Sequence, residues 1–218
     1  MNLLSVNVGT PTEYNWLGQP VTTSIFKSPI EGEVQVGPLN LAGDKQSDLT
    51  VHGGIHKAVY AYPHEHYAYW MERGIRPLNP GNFGENLTVE GLLETDVHIG
   101  DELEIGSARF AITQPRLPCY KLQVRFNRPE MTKLFYNTRR FGFYLKVVLE
   151  GALQAGSPIS IVHRDENAVS VADLIALYTG DPHDMDVLQR VLRVPALPQS
   201  WREDLQERAK RRNAAASR

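Results

Sequence analysis

The 218-residue chain contains a single cysteine, Cys119, so it cannot form an internal disulfide. It has no apolar run of about 18 residues, the length that a membrane-spanning helix needs, and no basic and apolar leader at its start. These absences predict a protein of the reducing cytoplasm with no membrane segment. Neither sign of charge dominates, because 23 Lys and Arg stand against 25 Asp and Glu. The chain as a whole is therefore not expected to bind nucleic acid.

The motifs of several common catalytic and cofactor sites are absent as well. The chain has no GxSxG nucleophile elbow and neither of the glycine-rich loops, GxGxxG and GxxxxGK[ST], that bind nucleotides. We therefore expect no flavin or NAD bound by this chain. Four histidines lie close together, at His52, His56, His64 and His66, but their spacing is not that of a structural zinc site.

The chain does contain many short β-rich segments in its first 163 residues. They are 3–9, 21–27, 33–36, 58–62, 86–91, 101–113, 143–151 and 157–163. Gly106 and Ser107 predict a hairpin turn inside the sixth segment. Two amphipathic helices, 64–73 and 128–137, are predicted between the strands. This pattern predicts a mostly β domain over 1–163, a closed or nearly closed β-barrel with inserted helices.

From Ser170 onward the pattern is helical and predicts a small three-helix domain over 164–218. Ser170 with Asp173 and Ser200 with Glu203 have the spacing of capping boxes, and Asp184 can cap the helix between them. Basic residues gather in the tail, which is typical of a solvated end and not of a DNA-reading face. We expect this domain to carry no chemistry and to cover a sheet edge, form a homodimer or dock a partner.

Cys119 lies in the segment QPRLPCYKL (114–122), between Arg116 and Lys121. Nearby cations favour the thiolate, the form in which cysteine acts as nucleophile or metal ligand. Two prolines stiffen the segment. The alternative is a small buried hydrophobic residue, because free cysteine is among the most buried residue types. On local chemistry both interpretations stay open.

A second segment, 43–63, places Gly53 and Gly54 between His52 and Lys57. Paired glycines let backbone N–H groups approach an anionic ligand without a Cβ in the way, and Lys57 adds positive charge. The alternative is an ordinary turn between strands.

A third segment, 79–92, has Gly84, Glu85 and Asn86 before a predicted strand. Its amide donors suit a phosphate or the edge of a heterocycle, and Glu85 is a candidate acid or base. Lys27, near a strand end, is a candidate for the same anion site. The alternatives are a solvated glutamate and a solvated lysine.

In this order, the segments GDKQSDLTVHGG, NFGENLTVEGL and QPRLPCYKL resemble the MOSC domain (molybdenum-cofactor sulfurase C-terminal), in its YiiM-like branch. The resemblance covers about 20–212. It implies a β-barrel whose cleft holds molybdopterin, with the sulfur of Cys119 coordinating molybdenum. The branch is also similar to the mitochondrial amidoxime-reducing component, which implies reduction of N-hydroxylated compounds such as 6-hydroxylaminopurine.

The resemblance also implies roles for the residues of all three segments. Cys119 would be the metal ligand, His52 or Glu85 would supply a proton, and a separate flavoprotein would supply electrons. The residues expected to hold the cofactor are Lys27, His52, Gly53, Gly54, Lys57, Gly84, Glu85, Asn86, Arg116 and Lys121. Two alternatives remain: Cys119 carries a persulfide in sulfur transfer, or the chain is a cofactor carrier without catalysis.

Overall fold

The computed structural model describes residues 1–47, 53–180 and 185–216. Its strands are β1 (Asn2–Val8), β2 (Thr12–Trp16), β3 (Gln19–Thr23), β4 (Ser28–Pro29), β5 (Val34–Val36), β6 (Val59–Pro63), β7 (Leu87–Glu90), β8 (Glu102–Ile105), β9 (Ala108–Pro115), β10 (Phe143–Leu149), β11 (Gly151–Leu153) and β12 (Ile159–His163). Its α-helices are α1 (Glu65–Glu72), α2 (Lys121–Phe126), α3 (Met131–Thr138), α4 (Val171–Thr179), α5 (Met185–Arg193) and α6 (Gln199–Ala216). Of the helices described, none combines the length and the apolar composition that crossing a membrane requires.

The large sheet has eight strands in the order β12-β8-β9-β10-β6-β7-β1-β4, with β6 and β7 parallel. It is open, so the prediction of a closed barrel is wrong, and the fold is mixed α/β. β12 and β1 approach each other at an isolated bridge between Asn2 and Pro158, where the N–H of Leu3 donates to the carbonyl of Ser157 and the N–H of Ile159 donates to the carbonyl of Met1, each at 3.0 Å.

The hairpin predicted at Gly106 and Ser107 is confirmed: it joins β8 to β9 in an antiparallel pair. Gly106 has a φ of +62°, and a Cβ there would lie 2.2 Å from the carbonyl oxygen of Ala152. The turn therefore requires glycine both for its backbone conformation and for the close approach of the neighbouring chain.

The two helices predicted among the strands are present as α1 and α3, and they pack aromatic side chains into the core. Trp70 of α1 stacks on Phe135 of α3 with ring centroids 5.8 Å apart, and Phe83 lies 5.7 Å from Trp70. All three rings are buried. This aromatic core fixes the segment between β6 and β7, which leads into the site described below.

The three C-terminal helices are confirmed, as is the first capping box. The N–H of Asp173 donates to the Ser170 hydroxyl at 3.0 Å, and the N–H of Ser170 donates to the Asp173 carboxylate at 3.0 Å. The second box is wrong, because α6 already includes Ser200, and the Pro198 carbonyl accepts from the first turn instead. Asp184 lies outside the described residues. The domain division at 163 stays a prediction.

Candidate functional site

The Cys119 thiol lies in a cleft of about 540 Å³, its mouth included, which we call the basic cleft. Six of the predicted site residues line it: Lys27, Lys57, Asn86, Arg116, Cys119 and Lys121. Sequence reasoning missed other lining residues, among them Thr23, Ser24, Asp44, Lys45, Ser47 and Tyr144. The cleft therefore unites all three sequence segments with Lys27.

Neighbouring strands of the sheet bring these residues together. Tyr144 on β10 pairs with Gln114 on one side and with Tyr60 on the other, and Arg116 follows β9. Asn86 precedes β7 and joins it to β6, since its side-chain oxygen accepts from the N–H of Tyr60 at 3.1 Å. The site thus lies where β9, β10, β6 and β7 meet.

Positive charge dominates the described lining. The cations are Lys27, Lys45, Lys57, Arg116 and Lys121, and the single acidic residue among them is Asp44. Because the whole chain has a formal net charge of −2, this is a local concentration of positive charge. Such a cleft attracts an anionic ligand.

The Lys27 ammonium is paired with the Asp44 carboxylate, and both groups are buried. Asp44 also accepts from the N–H of Gly9 at 2.8 Å. Burial lowers the pKa of Lys27, although the attraction of Asp44 opposes that change. Lys27 is thus held at the wall of the cleft by Asp44, which lies in the segment 43–63 but was not among the predicted site residues.

Two buried polar atoms of the described cleft have no hydrogen-bond partner in the protein: the hydroxyl oxygen of Ser24 and Nη1 of Arg116. An unsatisfied buried polar group costs about 1–3 kcal/mol, so a native site with two of them fits a ligand that supplies acceptors. A phosphate or a pterin edge has that chemistry. The residues present therefore fit an anionic, heterocyclic cofactor.

Tyr144 and Lys121 line the basic cleft together with Cys119. Burial raises the pKa of the Tyr144 phenol and the nearby Cys119 raises it further, while Arg116 opposes the change. The phenol therefore keeps its proton at neutral pH. The Lys121 ammonium donates to the Ser47 hydroxyl at 3.2 Å, and burial lowers the pKa of Lys57.

Four predicted cofactor residues do not line the basic cleft: Gly53, Gly54, Gly84 and Glu85. Gly54 is exposed and starts a short 3-10 turn, Ile55–Lys57, that carries Lys57 to the cleft. His52 lies outside the described residues. The roles assigned to these five residues stay predictions.

Glu85 is fully buried, and its carboxylate has four hydrogen-bond donors. It accepts from the Tyr67 hydroxyl, from the N–H of Gly81 at 2.8 Å, from the N–H of Phe83 at 3.0 Å and from the Thr88 hydroxyl at 3.0 Å. With these contacts the Glu85 carboxylate stabilises the conformation of the loop that precedes β7. Burial nevertheless raises the pKa of Glu85 above its ordinary value.

Gly84 shapes the wall of the cleft without facing it. Its φ is +80°, and a Cβ would lie 2.9 Å from Cγ1 of Ile25, which lines the cleft. We expect Gly84→Ala to lower the free energy of unfolding by about 2–3 kcal/mol, from backbone strain and the clash together. Urea unfolding measures this.

The matched control is Gly156→Ala, because Gly156 has a similar φ of +88° with nothing within 4 Å of the added Cβ. It isolates the backbone cost and should lose only about 1 kcal/mol. Equal losses in the two variants would contradict the role given to the Gly84–Ile25 contact.

Among the described residues, no group of three or more His, Cys, Asp or Glu side chains comes together as a metal site. Cys119 is therefore the one soft protein ligand that the described cleft offers. A metal bound there would need most of its ligands from a cofactor.

Comparison with known proteins identifies two consecutive family regions. The family model of the MOSC domain matches residues 48–160, and that of the YiiM-like 3-alpha helix domain matches 169–210. The chain is 39% identical over 201 residues to YflK of Bacillus subtilis (strain 168), covering 92% of this chain and 91% of that protein. It is 36% identical over 195 residues to YiiM of Escherichia coli (strain K12), covering 88% and 85%.

The crystal structure of YiiM from Geobacillus stearothermophilus matches with a TM-score of 0.80 and 37% identity, covering 95% of this chain and 98% of that one. A more distant match, at 29% identity over 185 residues, is a protein of Gibberella moniliformis (strain M3125 / FGSC 7600) named Reductase, of which 32% is covered. Two family regions in order and identity over nearly the whole length support one conclusion. The chain belongs to the MOSC domain family and, with its three C-terminal helices, to the YiiM-like proteins within it.

Proposed function

We propose that this protein is a molybdenum-cofactor-dependent reductase of N-hydroxylated compounds, with the Cys119 thiolate as a ligand of molybdenum. The reaction is R–NHOH + 2e⁻ + 2H⁺ giving R–NH₂ + H₂O: the N–O bond breaks, nitrogen is reduced and the oxygen leaves as water. A separate flavoprotein supplies the two electrons. Family membership and the name of the distant relative support this reaction class.

The observation that carries the proposal is the position of Cys119. Its thiol lies in a cleft with five cations and with the unpartnered Ser24 hydroxyl and Arg116 Nη1. Thiolate is a soft ligand suited to a polarisable metal, and the cations neutralise a cofactor phosphate. When bound, the cofactor supplies two-electron redox chemistry with transfer of an oxygen atom.

In this proposal the residues of the chain hold and orient the cofactor and supply a hydrogen-bond donor to the reacting oxygen. Lys27, fixed by Asp44, and Lys121, bonded to Ser47, hold anionic groups at set positions. Tyr144 keeps its phenolic proton and lines both cavities with Cys119, so it can donate a hydrogen bond to the departing oxygen. We assign this role to Tyr144 because the Glu85 carboxylate is occupied by its four donors.

The test is metal analysis and turnover of protein produced with molybdate, compared with the same protein produced with tungstate. We expect near-stoichiometric molybdenum with a fluorescent pterin, and reduction of 6-hydroxylaminopurine by an artificial electron donor only in the molybdate preparation. Absence of both metal and pterin would refute the proposal. Molybdenum without turnover would identify a carrier instead.

A further inference from the structure

A second cavity of about 790 Å³, its mouth included, adjoins the basic cleft and shares Lys57, Cys119 and Tyr144 with it. We call it the aromatic cavity. Its other described lining includes Gln114, Tyr120 and Trp201, with two prolines and a leucine from 115–118. The two cavities therefore have the three shared residues, Cys119 among them, as a common wall.

The chemistry of the aromatic cavity differs from that of the basic cleft. Lys57 is its single charged residue among those described, whereas the basic cleft has five cations and Asp44. Three aromatic side chains, Tyr120, Tyr144 and Trp201, contribute to its wall. A cavity of this kind suits an uncharged flat ring, because aromatic side chains bind such rings through stacking and edge contacts.

Trp201 comes from α6, so the C-terminal helices supply part of this wall. Its indole N–H donates to the Gln114 side-chain oxygen, and Gln114 in turn donates to the His56 carbonyl at 3.3 Å. The indole ring lies 5.4 Å from that of Tyr178 on α4. Contacts from two sides hold the indole in place, so the C-terminal helices do more than cover an edge.

We propose that the aromatic cavity is the substrate subsite and that Trp201 makes it select flat aromatic N-hydroxylated compounds over aliphatic ones. This inference rests on the proposed function, which places the reacting centre at Cys119. The anionic cofactor occupies the basic cleft, and the substrate ring enters from the aromatic cavity with its N–OH group directed at the shared residues. Tyr120, half exposed at 50%, lies at the entrance.

Two variants test the subsite. Trp201→Ala removes the buried ring, and Tyr120→Ala removes an exposed one that the fold does not depend on. We expect Trp201→Ala to raise KM for 6-hydroxylaminopurine about tenfold, in line with the usual effect of removing a stacking partner, and Tyr120→Ala to raise it about threefold. KM for acetamidoxime, which has no ring, should change less than about twofold in both variants, with kcat and molybdenum content close to wild type.

Calorimetric binding of adenine, the amine product, gives a readout that needs no turnover. Trp201→Ala should weaken it about tenfold, while Trp16→Ala, a substitution of a tryptophan that lines neither cavity, should leave it unchanged. Unchanged adenine binding and unchanged KM in Trp201→Ala and Tyr120→Ala would overturn the inference. If Trp201→Ala does not fold, Tyr120→Ala decides in the same way.

Different experimental results refute the reductase proposal and the subsite proposal. A wild-type protein without molybdenum or turnover refutes the reductase, whereas its adenine binding still reports on the aromatic cavity. An active wild-type protein whose aromatic and aliphatic substrates respond equally to Trp201→Ala refutes the subsite and leaves the reductase standing.

Discussion

Replacing Cys119 with alanine is expected to reduce kcat/KM for 6-hydroxylaminopurine by about 100-fold or more. Even outer-shell partners of a metal ligand cost about 10–100-fold when removed, so the ligand itself should cost at least as much. Cys119 lines both the basic cleft and the aromatic cavity. Because it is the single cysteine of the chain, no second thiol can replace it.

Cys119→Ser is the matched variant, because it keeps the size of the side chain and replaces the soft sulfur with a hard oxygen. We expect it to lose activity nearly as fully as Cys119→Ala. Cys119 is only partly buried, so neither change should move the melting temperature by more than a few degrees. Activity retained in both variants would contradict the ligand role.

The sulfur-transfer alternative makes a different prediction for the same residue. A persulfide on Cys119 would appear in the intact mass of the wild-type protein as one added sulfur that dithiothreitol removes. We expect no such increment. Its presence, without molybdenum, would favour sulfur transfer.

Glu85→Ala is expected to lower the free energy of unfolding by about 4 kcal/mol. The substitution leaves four buried donors without their acceptor, two of them the backbone N–H groups of Gly81 and Phe83, and each unsatisfied donor costs about 1–3 kcal/mol. Urea unfolding measures the loss. Glu72→Ala, at an exposed position near the end of α1, should change the same quantity by less than about 0.5 kcal/mol.

This experiment also separates the two roles considered for Glu85. A variant of unchanged stability that has lost turnover would support the predicted catalytic role. A destabilised variant whose remaining folded fraction retains turnover would support the structural one, which its four hydrogen bonds favour.

The pH dependence of stability has a defined sign at this residue. Burial raises the pKa of Glu85 above its ordinary value of 4.5, so the folded protein holds the proton more tightly than the unfolded chain does. The contribution of this group is therefore fully present below pH 4.5 and decreases as pH rises toward the raised folded pKa. The glutamine of Glu85→Gln does not titrate. The free energy of unfolding of the wild type should therefore decrease relative to that of Glu85→Gln as pH rises through that window.

Features encoded by neighbouring residues were predictable from the sequence. Gly106 and Ser107 specify the hairpin, and Ser170 with Asp173 specifies the start of α4, because each depends on contacts within a few residues. Whether the sheet closes was not predictable in this way, because it depends on pairing between residues far apart in the chain, such as Asn2 and Pro158.

The residues of the candidate site show the same difference between local sequence features and features of the fold. Cys119 was identifiable from the cations flanking it in sequence, and the structure places Arg116 and Lys121 in the same cleft. Asp44 and Tyr144 were missed for different reasons. Asp44 lies in the segment GDKQSDLTVHGG, but its pairing with Lys27 depends on the fold, and Tyr144 lies on β10, outside all three segments. Glu85 was predicted to be a candidate acid or base because it lies in a loop, whereas its burial is evident only from the fold.

The described lining of the basic cleft comes entirely from residues before 145, whereas the aromatic cavity also draws Trp201 from α6. Changes in the C-terminal helices can therefore alter one cavity while leaving the other intact. On the proposed function, substitutions on α6 alone change which compounds the aromatic cavity accepts and leave the lining of the basic cleft as it is. For engineering, a library of substitutions at Trp201 and its neighbours on α6 would vary the substrate range without changing Cys119 or the residues of the basic cleft.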